Sequence, residues 1–167
     1  AVDALKVAYL QDKQSLMVFK ALVAALYDNN DRENLELILR SYNMKWSEEK
    51  DFGHGLTIGI YASMGEFYPF AIDVLAEVVK AHPSQLNAYI ELSKTYAANT
   101  NVDQAINAIQ LAYDRGGKDD IDVLKQYSSV LSDSPQIKKR DSILKEYSAL
   151  WESKKDYGHG ITLGLLY

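Results

Sequence analysis

The sequence predicts an all-α fold, an α-solenoid of antiparallel helix pairs. That class rests on a 105-residue internal duplication, on its division into units of about 35 residues, and on apolar stripes at helical spacing with no sustained β alternation. Trp46-Ser-Glu-Glu-Lys-Asp-Phe-Gly-His-Gly-Leu-Thr-Ile-Gly59 returns as Trp151-Glu-Ser-Lys-Lys-Asp-Tyr-Gly-His-Gly-Ile-Thr-Leu-Gly164, identical at 8 of 14 positions. Carried backwards without a gap, the same offset pairs Lys13–Tyr61 with Lys118–Leu166 and yields 16 identities in 49 positions. Helix-like starts recur near Leu16, Phe52, Leu86, Ile121 and Tyr157, in steps of 36, 34, 35 and 36. A period of that length holds one helix-turn-helix unit that buries its apolar face against its neighbours.

The elements follow in chain order. Residues 1–12 read as the second helix (B) of a preceding pair, since Ala1, Ala4, Ala8 and Tyr9 align with Ala105, Ala108, Ala112 and Tyr113. Residues 13–51, 52–85, 86–120 and 121–156 form four successive units, and 157–167 is the first helix (A) of a following one. With an unpaired helix at each end, the chain reads as a piece of a longer array. Apolar stripes at three-to-four spacing are Leu22-Leu26, Leu35-Ile38-Leu39-Tyr42, Ile72-Leu75-Ala76-Val79, Ile106-Ile109-Ala112-Tyr113 and Ile143-Leu144-Tyr147. Small residues Gly59, Ala71, Ser93 and Ala105 belong where paired backbones approach too closely for a larger side chain. Turns are expected at Asp28–Asp31, Met64-Gly65, His82–Ser84, Asn99–Asn101, Arg115–Lys118 and Ser132–Pro135, with Asp31, Ser84, Asn101 and Ser134 as N-caps.

This pattern resembles the tetratricopeptide repeat. Residues 86–117 match its signature through Tyr89, Leu92, Ser93, Tyr96, Ala105, Ile109 and Ala112, although Gly117 stands where the family usually has proline. Residues 52–83 match through Gly59, Ala71 and Pro83, whereas Leu35 and Arg140 occupy small-residue positions in the flanking units. The resemblance implies a right-handed superhelix whose A helices line a concave groove for a peptide or a partner helix. Carried over by register, it assigns to that groove Lys20, Ala24, Tyr27, Thr57, Ile60, Ser63, Met64, Asn87, Glu91, Lys94, Asp122, Lys125, Gln126 and Ser129. The ordered Lys and Asn set with which some members of the family hold a terminal carboxylate is not reproduced.

Charge narrows the partner class. Eighteen Lys and Arg against 23 Asp and Glu leave a net charge of -5, which opposes binding to phosphate backbones or anionic membranes. No apolar run approaches a membrane span, so no membrane insertion is expected. The absence of cysteine excludes disulfides and thiolate metal sites and suits cytosol and periplasm equally. No phosphate-binding loop, dinucleotide fingerprint or nucleophile elbow is present, so neither an enzyme nor a cofactor is expected.

The duplicated Asp-aromatic-Gly-His-Gly at 51–55 and 156–160 admits two readings. In one, Asp51 or Asp156 caps helix A while the glycines permit close approach to the preceding B helix. In the other, free backbone N–H groups beside His54 or His159 bind an anion. One histidine per copy is too few for a metal site. Trp46 and Trp151 are expected to pack between repeats, and His82 to sit at a helix end in the field of the helix dipole. The function expected is a non-enzymatic scaffold that binds another polypeptide. The alternative is a structural spacer or self-assembling array stacked head to tail through its terminal repeats. A helical-repeat RNA binder is the remote third, disfavoured by the acidic charge.

Overall fold

The computed structural model describes residues 2–132, 134–155 and 157–166. The chain divides into two compact units, residues 1–82 and 83–167. Among the described residues there are ten α-helices, one short 3₁₀ turn and no strand, and no helix is long and apolar enough to cross a membrane.

The first unit holds α1 (Val2–Gln11), α2 (Leu16–Asp28), α3 (Arg32–Glu49), α4 (Phe52–Met64) and α5 (Tyr68–Ala81). Side-chain caps set several of its helix starts. Ser15 accepts a hydrogen bond from the Val18 N–H, Asp31 from Asn34 and Asp51 from His54. Pro69 sits in the first turn of α5, where its missing N–H has no partner to lose. The core of α1 to α3 centres on rings: Phe19 stacks on Tyr42 at 4.0 Å between centroids, and Tyr9 leans on both. Burial pushes the Tyr42 hydroxyl up to about 12.

Helices α4 and α5 pair closely because Gly59 leaves room for Leu75. A β-carbon at Gly59 would lie 2.5 Å from the Leu75 Cγ. The buried face of α5 is Ala71, Val74, Leu75 and Val78, which corrects the stripe Ile72-Leu75-Ala76-Val79. Almost every position of α5 on that side is apolar, so periodicity alone left its rotation open, and Gly59 sets it by receiving Leu75.

The second unit holds α6 (Leu86–Ala98), α7 (Val102–Asp114), a 3₁₀ turn (Gly117–Asp119), α8 (Ile121–Ser132), α9 (Ile137–Lys154) and α10 (Tyr157–Leu166). The A helices α2, α4, α6, α8 and α10 begin at Leu16, Phe52, Leu86, Ile121 and Tyr157, the five starts expected from the repeat. In the α6/α7 pair Ala105 is buried and its carbonyl accepts from Ser93 Oγ at 2.9 Å, so the small side chain also carries a cross-helix hydrogen bond. Asn101 caps α7 by accepting from the Gln104 N–H.

Two expected caps shift. Gln85 rather than Ser84 precedes α6, with no side-chain cap bond, and Ser134 Oγ accepts from Gln136 N–H in the turn before α9. Arg140 at the small-residue position does not part α8 from α9, because its guanidinium turns outward to Asp141 at 3.2 Å. Between α7, α8 and α9, Tyr113 donates to Glu146 Oε2 at 2.7 Å and Tyr127 donates to Gln110. The bond to Glu146, together with burial, holds the Tyr113 hydroxyl up to about 12, and burial raises Tyr127 as well.

Candidate functional site

The register-assigned side chains fall into three groups. In the second unit, Asn87, Glu91 and Lys94 on α6 and Asp122, Lys125 and Gln126 on α8 surround one depression of about 250 Å³, with Ile90 also lining it. The spacing explains the gathering: positions four and three apart on α6 share one face, and α8 packs beside that face. Lys94 Nζ lies 2.8 Å from Glu91 Oε1, and Gln126 Nε2 donates to Ser93 Oγ at 3.2 Å. The depression therefore presents two ammonium groups, two carboxylates and two amides around a buried isoleucine. Ser129, also on α8, is exposed outside it.

In the first unit, Tyr27 and Met64 share a depression of about 460 Å³ between the α2/α3 and α4/α5 turns. Arg32, bonded to Glu66 Oε2 at 3.3 Å, closes one side and lies over the Phe67 ring at 4.9 Å. The sequence carried no signal for Arg32 or Glu66, which the register leaves out of the groove and which only the turn geometry brings together.

The third group stands apart from these depressions. Lys20 is exposed and Ile60 half-buried. Thr57 corrects the groove assignment: it is 4% exposed and its hydroxyl donates to the Gly53 carbonyl at 2.7 Å, so it offers a partner nothing. A hydroxyl on a helix readily turns back to the carbonyl one turn earlier, and the α4 face that carries Thr57 lies inward.

The duplicated motif is a packing device. Trp46, on the long end of α3, lays its indole against Gly55 of α4, where a β-carbon would lie 2.5 Å from the ring, and donates from Nε1 to the Asp51 carbonyl at 2.6 Å. Lys50, a left-handed cap at φ 55°, places Nζ 4.5 Å from the indole centroid. The second copy repeats the arrangement, with Trp151 against Gly160, Lys155 at φ 53° and its Nζ 4.8 Å over the ring.

The anion reading of His54 loses its donors. The Asp51 carboxylate accepts from the His54 N–H at 2.9 Å and meets His54 Nδ1 at 2.6 Å, so the protein's own carboxylate occupies the helix start. The backbone N–H of His54, then the imidazole, hold the Asp51 carboxyl below its usual range. The imidazole stacks on Tyr42 at 5.3 Å. In the second copy His159 Nδ1 meets Tyr147 Oη at 2.9 Å, and its Nε2 lies 3.6 Å from Asp122 Oδ1; Asp156, the expected cap there, lies outside the described residues. His82 closes the α3–α4 turn by donating from Nε2 to the Lys50 carbonyl at 2.5 Å. No group of three or more metal-ligating side chains occurs among the described residues.

Neither a family model nor a curated protein matches the sequence. Solved structures resemble it nonetheless. MamA from Desulfovibrio magneticus RS-1 superposes with a TM-score of 0.72 at 19% identity, covering 93% of this chain and 86% of that one. The chain has the tetratricopeptide-repeat fold. A thermophilic tetratricopeptide-repeat protein from Thermus thermophilus superposes with a TM-score of 0.71 at 12% identity, covering 99% and 88%. YrrB, described as a tetratricopeptide-repeat protein with an unusual peptide-binding site, gives 0.60 at 16% identity, covering 100% and 84%.

Proposed function

We propose that this chain is a non-enzymatic scaffold that binds another polypeptide, and that the depression between α6 and α8 takes part of that partner. One observation carries the reading: Asn87, Glu91, Lys94, Asp122, Lys125 and Gln126 converge on a single hollow with an apolar residue among them. Opposed charges in near balance suit a segment recognised through its own amides and mixed side chains, better than a phosphate backbone or a single carboxylate. An extended stretch of peptide supplies alternating N–H and C=O groups to the Asn87 and Gln126 amides, and a small apolar side chain can rest on Ile90. The fold is compatible, since a neighbour of the same architecture carries a peptide-binding site.

The test is selection from a displayed random-peptide library, followed by binding of the selected peptide to the Asn87→Ala, Lys94→Ala double variant. Both side chains are exposed. The variant is expected to lose about tenfold or more in affinity, close to 1.4 kcal/mol, with its circular-dichroism melt unchanged. Full affinity in the double variant removes this hollow from the reading.

A further inference from the structure

We propose that the depression between the α2/α3 and α4/α5 turns receives a basic side chain, lysine or arginine, from a partner polypeptide. It lies in the first unit and shares no residue with the hollow between α6 and α8, so either site can fail without the other.

The first unit holds its own cations in one recurrent way. Arg32 lies over the Phe67 ring at 4.9 Å and bonds Glu66 at 3.3 Å. Arg40 lies over Phe70 at 4.6 Å and bonds Glu36 at 2.8 Å, and Lys50 lies over Trp46 at 4.5 Å and meets Glu77. Each cation is set between the face of a ring and a carboxylate, which suits a side chain with an apolar stem and a charged head. Tyr27 and Asp28 offer the same two partners with no cation between them. Both line the depression, Tyr27 is 38% exposed and Asp28 is exposed. Among the described residues no cation lies over the Tyr27 ring and no ion pair forms on the Asp28 carboxylate. Tyr61 packs against Tyr27 at 6.4 Å in a T-shaped contact that steadies the ring.

The fold alone gives Asp28 no use. It is the last residue of α2, where the helix field is negative, and α2 has no basic residue in its last turn. A bound cation turns that unfavourable charge into a favourable one. The surroundings point the same way: Asp28, Asp31 and Glu66 face the single guanidinium of Arg32, so negative charge is in excess. Asp31 is engaged as the cap of α3 and Glu66 with Arg32, which leaves Asp28 to take the incoming charge. Beneath lie the buried Leu26 and Leu35, with Met64 44% exposed beside them, an apolar bed for the stem. A hollow of about 460 Å³ also has room for the backbone that carries the side chain, and exposed Tyr27 and Met64 give flanking residues an apolar contact that a free amine would leave unused. A metal ion fits less well, since no group of three or more ligating side chains gathers among the described residues. The lining comes wholly from two complete helix pairs, α2/α3 and α4/α5. Further repeats stack outside these pairs and leave the space between their turns as it is.

The test uses the 167-residue chain carrying Asn87→Ala and Lys94→Ala, which takes the other hollow out of play. A displayed random-peptide library panned on this protein should return peptides enriched in lysine or arginine. On the same background Asp28→Asn should weaken a selected peptide by about fivefold or more, and Tyr27→Leu by about threefold. Glutamine in place of the peptide's basic residue should weaken it as much as Asp28→Asn does. The two changes should not add: once the peptide lacks its basic residue, Asp28→Asn should cost nothing further. The circular-dichroism melt of Asp28→Asn should stay in place or rise, because a carboxylate leaves the C-terminal end of α2. Asp73→Asn removes the same charge from an exposed site outside the depression and should leave affinity within about twofold. A library that returns no binders, or binders without excess lysine or arginine, overturns the proposal. So does an Asp28→Asn variant that binds as tightly as its parent, or an equal loss in Asp73→Asn.

Discussion

Substituting alanine at each of three glycines in the duplicated segment tests the packing argument on one chain. In a helix interior glycine to alanine gains about 1 kcal/mol from backbone propensity alone. Gly164 has nothing within 4 Å of an added β-carbon, so Gly164→Ala should be stabilised by about 0.5 to 1 kcal/mol, slightly reduced by its place near the helix end. At Gly55 the methyl would lie 2.5 Å from Trp46 Cε2 and Cζ2, against an indole held in place by its bond to the Asp51 carbonyl. Overpacking of this kind costs about 1 to 3 kcal/mol, and displacing the indole forfeits a hydrogen bond of about 1 kcal/mol. Subtracting the propensity gain leaves Gly55→Ala destabilised by about 1 to 3 kcal/mol. Gly160 is intermediate: its methyl would sit 2.9 Å from the Trp151 ring, a looser approach than the 2.5 Å at Gly55, so the net change should lie within about 1 kcal/mol of zero. Urea unfolding of dilute protein, followed by tryptophan fluorescence and circular dichroism, reads the order directly. A Gly55→Ala protein as stable as wild type, or a Gly164→Ala protein weaker than Gly55→Ala, refutes the account of the motif as a packing device.

Two pH-dependent outcomes follow from the same structure. Asp51→Ala should cost about 1 kcal/mol at neutral pH through loss of the α4 cap. The folded carboxyl titrates below its ordinary 3.8, so its contribution is present above that pH and disappears as the solution becomes more acid; a deficit that persists unchanged in strong acid counts against it. The buried tyrosines act at the other end of the scale. Tyr42 and Tyr113 are raised from 10 to about 12, so the neutral hydroxyls stabilise the fold fully below pH 10, and that stability drains away as the pH climbs toward 12. Ultraviolet difference absorbance should show delayed tyrosine ionisation in the folded chain with stability falling over the same window, and simple ionisation near pH 10 without loss of stability would contradict this.

Much of the fold is legible because its signals are local. Helix starts at Leu16, Phe52, Leu86, Ile121 and Tyr157 follow from apolar residues placed just after turn formers, and Gly59 and Ala105 mark close approach by their size. What could not be read depends on neighbours distant in sequence. Ser15 caps α2 and Ser84 caps nothing because capping needs one residue at one backbone conformation, and composition does not resolve a shift of a single position. Lys50, Lys155, Asn30, Glu66 and Thr100 take positive φ although none is glycine, so these turns are imposed by the helices that they join.

The amino-acid order alone determined the class of the molecule, the period of its repeat, the class of its helix pairs and its net acidic charge, since each depends on residues near one another or on a simple sum of charge. Tertiary structure decided which way each helix faces: that Trp46 closes over Gly55, that Thr57 turns inward, that α5 presents Val74 and Val78, and that six polar side chains from α6 and α8 meet around Ile90. A helix with apolar residues on several sides has no preferred rotation until another helix offers it a notch of the right size.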